Sequence, residues 1–142
     1  MILSLLSPHE IASHFDAGSM RRAHAYAEDG STSRPDILSL DEHHVVANAY
    51  VSGSARTAYV VRLEAESDGV ELDLQTLCNC PVRFQCKHGA ALALVLGRTF
   101  HRRERAAETP TWEHRLSELL EQLADLAPPE RDLPGVALGF TY

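Results

Sequence analysis

The sequence predicts an α+β domain with N-terminal helices, an antiparallel meander of three or four strands, a buried central helix and a C-terminal amphipathic helix. Apolar residues recur at helical spacing near both ends of the chain. Short alternating segments separated by turn residues fill the middle. All cysteines of the chain then cluster with a histidine directly before a long apolar run.

Two short helices are predicted in the first thirty or so residues. Ser7 as N-cap and Pro8 at the first helical position indicate a helix that ends near Phe15. A second helix is predicted from Ser19 to Glu28, with its apolar face at Met20, Ala23 and Ala27. Five histidines have no cysteine or carboxylate at ligand spacing and are expected at the surface: His9, His14, His24, His43 and His44.

After Arg34-Pro35 the hydrophobic period changes from helical to alternating. We expect Ile37 to point inward from the first strand, and Val70, Leu72 and Leu74 from the last. The middle two strands are apolar on both faces, which indicates an interior position or cover on both sides. The four predicted strands are Asp36 to Leu40, His44 to Val51, Thr57 to Ala65, and Val70 to Leu77.

The cysteine cluster reads C-x-C, five residues, C-x-H, with Cys78, Cys80, Cys86 and His88 as donors. Three thiolates and one imidazole form a complete tetrahedral set for zinc. Both sulfurs of C-x-C reach one ion only if the chain turns at Asn79, because an extended backbone would point them to opposite faces. The pattern therefore predicts one structural zinc ion, held by a knuckle that leads into the buried helix.

Other interpretations of the cysteines remain. They could be buried small side chains, or one disulfide with a spare thiol, but such residues are not expected to cluster beside a histidine. A nucleophilic Cys86 assisted by His88 would need an orienting partner that the sequence does not supply. A catalytic zinc needs an open position, which four protein ligands disfavour.

The segment after the knuckle is apolar nearly all round from Ala90 to Leu96, which is typical of a buried helix. If the helix continues past Gly97, then Arg98, Arg102 and Arg105 share one face with His101. The net charge of −7 requires any nucleic-acid site to be a local basic patch. The alternative is that the arginines only favour a helix C-terminus. The candidate phosphate contacts are Arg83, Lys87, Arg98, Arg102, Arg103 and Arg105.

Residues 1–105 are thus predicted to form the zinc-binding domain, and 106–142 a linker, a final helix and the start of a following domain. Thr111 is the expected N-cap of that helix, and the apolar tail from Gly135 to Tyr142 resembles a first strand. The leucine stripe either packs on this domain or presents a surface to another one. Its members are Trp112, Leu116, Leu119, Leu120, Leu123 and Leu126.

The C-x-C and C-x-H pairs, followed by an apolar helix, resemble the SWIM zinc finger. Together with Phe15 to Gly30 and the strands that follow, the layout is similar to the N-terminal region of bacterial Swi/Snf-type ATPases over roughly residues 10 to 100. This resemblance implies zinc ligands at Cys78, Cys80, Cys86 and His88. It also implies a binding role with DNA or proteins as partners.

The chain itself is not expected to be an enzyme. It has no G-x-x-x-x-G-K-[ST] phosphate-binding motif, and no constellation for acid/base chemistry stands out. A signal peptide and a membrane span are not evident, so a cytoplasmic location is expected. We predict a module that binds nucleic acid, DNA rather than RNA, with no small-molecule substrate. The alternative is a protein-interaction module that positions a motor domain, and a freestanding zinc hydrolase is a third possibility.

Overall fold

The fold comes from a computed structural model that describes residues 2–108 and 112–125. Contacts divide the chain into two units, Met1–Ala106 and Ala107–Tyr142. The helices are α1 (Ile2–Leu5), α2 (Pro8–Ser13), α3 (Ala17–Glu28), α4 (Lys87–Glu108) and α5 (Trp112–Asp125). The strands are β1 (Asp36–Leu40), β2 (His44–Val51), β3 (Tyr59–Ser67) and β4 (Leu72–Cys78). The predicted α+β class, with its antiparallel meander and buried helix, is confirmed.

Helix boundaries follow the capping side chains. The Ser7 hydroxyl accepts the Glu10 N–H at 3.2 Å, and Pro8 begins α2 as predicted. Helix α3 begins two residues earlier than expected, because the Asp16 carboxylate accepts the Ser19 N–H at 2.9 Å and acts as the N-cap. Helix α1 was not predicted, although Ile2 is buried in the core.

The four strands form one antiparallel sheet in the order β1-β2-β3-β4. Strands β2 and β3 are therefore interior, which is one of the two arrangements expected from their apolar composition. The inward position predicted for Val70 is wrong: this side chain is 82% exposed. Asp68 explains the difference, since its carboxylate accepts the N–H groups of Val70 and Glu71 at 2.9 Å and draws both into a turn.

The first strand also departs from the prediction. Ile37 is 36% exposed, not buried, and every residue of β1 is exposed. Strand β1 lies at the edge of the sheet, and its register with β2 is interrupted between Ile37 and Ser39. An edge strand has a neighbouring strand on one side only, and in this irregular one no side chain is buried in the core.

The core is formed by α4, the N-terminal helices and one face of the sheet. Helix α4 continues through Gly97, where a Cβ would overlap the backbone carbonyl oxygen of Leu6, so glycine permits this close approach. The opposite face of the sheet, called here the outer face, carries Tyr50, Val60, Arg62, Glu64, Glu66 and Leu77. The buried apolar side chains of α4 are Ala90, Ala91, Leu92, Ala93, Leu94, Leu96 and Phe100.

Helix α5 has the predicted stripe, and Trp112, Leu116, Leu119, Leu120 and Leu123 are all exposed. Thr111, Leu126 and the segment from Gly135 to Tyr142 lie outside the described residues, so the predicted N-cap and final strand stay predictions. The packing of the stripe on the domain also stays a prediction. None of the helices described has both the length and the apolar character needed to cross a membrane.

Candidate metal centre

The first pair of cysteines lies where β4 ends and the chain turns back. The Asn79 side chain accepts the Val60 N–H at 2.9 Å, and the Asn79 N–H donates to the Val60 carbonyl at 3.2 Å. The Cys78 N–H then donates to the Arg83 carbonyl at 2.7 Å, which closes the loop. These bonds fix the turn expected at Asn79, and the cysteines on either side of it, Cys78 and Cys80, are both buried.

The second pair follows two residues with left-handed backbone, Arg83 at φ 69° and Gln85 at φ 43°. Such angles are unfavourable for side chains other than glycine and persist only where surrounding contacts fix them. Gln85 supplies those contacts. Its Oε1 accepts the Thr76 N–H and hydroxyl at 2.8 Å, and its Nε2 donates to the carbonyls of Leu74 at 2.9 Å and His14 at 3.2 Å.

Together these elements bring the four predicted ligands together. Their donor atoms all lie within 4.8 Å of one another, and all four residues are buried. His88 Nδ1 is 3.7 Å from Cys78 Sγ and 3.8 Å from Cys86 Sγ. A tetrahedral zinc site with ordinary bond lengths would place nitrogen and sulfur about 3.6 Å apart. Cys78, Cys80, Cys86 and His88 are therefore close enough to hold a metal ion.

Burial and hydrogen bonds shift the pKa values of the thiols and the imidazole in the cluster. Burial raises the pKa of Cys78 to about 12 and also raises the pKa of Cys86. Burial alone would raise the pKa of Cys80 as well. Hydrogen bonds from the N–H groups of Arg83 and Val82 and from the neighbouring thiols lower it by more, so the pKa of Cys80 is lowered. Burial, with Lys87 nearby, lowers the pKa of His88 and keeps its imidazole neutral. A divalent ion would stabilise the thiolates, which burial alone disfavours.

The imidazole of His88 is held between two aromatic rings. Tyr59 lies over it with ring centroids 4.5 Å apart and a tilt of 32°, and Tyr26 meets it edge to face at 5.4 Å. A Cβ at Gly53 would come within 2.6 Å of the Tyr59 ring and 3.2 Å of His88 Nε2. The loop after β2 thus closes over the ring and directs Nδ1, not Nε2, toward the sulfurs.

The candidate phosphate contacts do not form one patch. At about 1.5 Å per residue, Lys87 and Arg105 lie roughly 27 Å apart along α4. Arg83 lies in the knuckle, and the Lys87 ammonium is 5.2 Å from the centroid of the Tyr26 ring. Arg98 pairs with Glu28 at 3.3 Å in an exposed ion pair. Arg102, Arg103 and Arg105 are exposed on the last turns of α4.

Sequence reasoning missed three features of this region. Gln85 and Tyr59 gave no local signal, because both act through contacts with residues distant in sequence. His44 was expected at the surface with no carboxylate at ligand spacing, and sequence spacing did not reveal its partners in the fold. Its Nε2 lies 3.1 Å from Glu64 and 3.9 Å from Glu66, since the antiparallel register of β2 and β3 brings them to one face.

Comparison of the chain with protein-family models, curated proteins and solved structures gives no match. The SWIM resemblance therefore rests on the residues of the knuckle and the layout around them.

Proposed function

We propose that this protein is a non-catalytic zinc module of the SWIM type that binds DNA. The closed donor set carries the proposal. All four donors come from the protein, are buried, and belong to the end of a strand and the start of a core helix. Structural zinc sites have this composition, whereas catalytic ones keep a position for water or substrate. Zinc would supply the charge that stabilises three thiolates and would fasten β4 to α4.

Zinc is favoured over other ions by the donors. Thiolates with one imidazole in a tetrahedral arrangement are typical of zinc, while Mg²⁺ and Ca²⁺ prefer oxygen ligands. Backbone N–H groups add support, since those of Gly89 and His88 donate to Cys86 and those of Arg83 and Val82 to Cys80. Such bonds orient the sulfurs before metal binds.

DNA binding is supported by the distal half of α4. Because the helix is continuous past Gly97, Arg98, Arg102 and Arg105 lie along one face. Arginine suits phosphate, since its guanidinium can bind two oxygens at once. The chain as a whole is acidic at −7, so this stretch concentrates positive charge where the rest of the surface would repel a phosphate backbone.

The experiment is a titration of the zinc-loaded full chain with duplex and single-stranded DNA at several salt concentrations. Phosphate contacts release counterions, so the logarithm of the association constant should fall linearly with the logarithm of salt. Absence of binding to both DNA forms at low salt would contradict the proposal.

A protein-interaction role is the second candidate, and the exposure of the α5 stripe favours it. Exposed apolar surface of this kind on a helix is typical of docking faces. The module would then be the accessory part of a Swi/Snf-type motor protein. Titration with a separately expressed motor domain of that type tests this role, and Trp112→Ala with Leu120→Ala should weaken the complex.

A further inference from the structure

A band of exposed apolar and aromatic side chains crosses the outer face of the sheet beside the knuckle. Its members, called here the outer band, are Tyr50, Val60, Leu77 and Phe84. Tyr50 pairs with Val60 across β2 and β3, and Leu77 forms a β-bridge with Phe84. Tyr50 is 62% exposed and Phe84 is 67% exposed. Two aromatic rings thus stand open to solvent on the side of the sheet opposite α4.

Two arginines lie beside this band, and Glu64 lies near its Phe84 end, in a depression that it shares with Arg62 and Leu77. Val60 and Leu77 form part of a shallow depression of about 410 Å³, which Arg62, Asn79 and Arg83 also line. No carboxylate lines it, and among the described residues no carboxylate lies within ion-pair distance of Arg62 or Arg83. In a chain of net charge −7, two such arginines beside exposed rings are complementary to an anionic ligand with flat, apolar faces.

We infer that the outer band is a platform for single-stranded DNA, with bases stacked on Tyr50 and Phe84 and phosphates at Arg62 and Arg83. Unpaired bases stack on exposed aromatic side chains, whereas bases in a duplex are not accessible to them. Tyr50 and Phe84 are separated by three inter-strand steps and by two residues along the strands, about 16 Å in all, which corresponds to about five nucleotide steps of a stacked strand. The inference rests on the proposed DNA binding and adds the form of DNA and a second surface.

Two observations define the ligand further. Glu66 and Asp73 lie toward the other end of the outer face, and Glu64 lies between them and Phe84, so the phosphates are expected on the side of the band that holds Arg62 and Arg83. Asn79 is the uncharged polar side chain in the depression, and its Oδ1 already accepts the Val60 N–H. The Asn79 Nδ2 group keeps its N–H donors and can reach a base edge, and the assignment to DNA follows the proposed function.

The test compares a thymidine 20-mer with an abasic 20-mer of the same length, using zinc-loaded full chain and fluorescence anisotropy. The abasic strand keeps the phosphates and removes the stacking faces. We expect the wild-type protein to bind the thymidine strand at least about 5-fold more tightly, because one stacked base contributes about 5- to 150-fold. The variant Tyr50→Ala/Phe84→Ala should lose this preference and bind both strands equally.

The controls separate this inference from the proposed function. Both rings are exposed, so the double variant should fold, and Val70→Ala, at an exposed turn, should bind like the wild type. If neither strand nor duplex DNA binds at all, the proposed function fails and the inference with it. If DNA binds but the double variant retains the preference for bases, only the inference is overturned. Tighter binding of a uridine RNA 20-mer would overturn the assignment to DNA.

Discussion

The ring of Tyr59 lies over the imidazole of His88, with centroids 4.5 Å apart. Because His88 supplies the single nitrogen donor of the cluster, this contact links the orientation of a candidate metal ligand to a residue of β3. Hydrogen-bonded partners that fix a ligand's orientation typically contribute 10- to 100-fold to metal affinity, and we expect the ring to contribute at the lower end of this range.

Replacement of this ring should therefore weaken zinc binding. We expect Tyr59→Ala to raise the zinc dissociation constant by about 10-fold or more, because the imidazole loses the surface that orients it. Tyr59→Phe keeps the ring and should bind zinc as the wild type does. Competition with a chromogenic chelator measures both. Equal affinities for the alanine and phenylalanine variants would show that the stacking has no role in ligation.

Gln85→Ala should destabilise the zinc-loaded protein by about 1 to 3 kcal/mol. The reason is that one backbone N–H and two backbone carbonyls lose their partner, namely those of Thr76, Leu74 and His14. Gln75→Ala is the matched control, since Gln75 is exposed and makes only a long bond of 3.4 Å to Asp73. Urea unfolding followed by circular dichroism gives both values. A Gln85 variant as stable as the control would contradict this role.

The arginine face of α4 makes a prediction about salt dependence. Substitution of Arg98, Arg102 and Arg105 by alanine should flatten the log–log salt slope of duplex binding by about 3 × 0.9. Arg21→Ala/Arg34→Ala removes exposed arginines elsewhere and should leave the slope unchanged. If the triple variant binds with unaltered affinity and slope, the arginines serve only the helix end and its solubility, where a cation contributes about 0.3 to 1 kcal/mol.

Acid should release the metal. Burial lowers the pKa of His88 below its ordinary value of 6.5. As the pH falls, the unfolded chain therefore takes up a proton at this imidazole at a higher pH than the folded chain does. The stability that depends on the neutral imidazole is therefore present above pH 6.5 and is lost as the pH falls below it. Protonation of the thiolates acts in the same direction. The amount of zinc that a chelating dye takes up from the protein should increase as the pH falls from 7 to 5. His24→Gln, at an exposed position, should give the same curve, and retention of zinc at pH 5 would contradict the prediction.

The candidate metal ligands and the order of the elements from α2 onward could be predicted from the sequence because they depend on local patterns. The C-x-C and C-x-H pairs, the caps and the period of the apolar residues are all short-range signals. Other features depend on tertiary contacts and strand register, which no local pattern encodes. These are the hydrogen bonds of Gln85, the stacking of Tyr59 and the partners of His44. The errors at Ile37 and Val70 have the same origin, since alternation alone does not reveal an edge strand or an Asx turn.

The central claim is that the cluster of Cys78, Cys80, Cys86 and His88 holds one structural zinc ion. The most direct measurement is elemental analysis of the folded, purified protein by plasma mass spectrometry, with Cys80→Ser measured beside it. Structural zinc contributes about 10 to 16 kcal/mol in small fingers, comparable with the stability of a whole domain. We predict one zinc per wild-type chain and a loss of zinc and of folded structure in the variant. Well-folded wild-type protein without zinc would contradict the account.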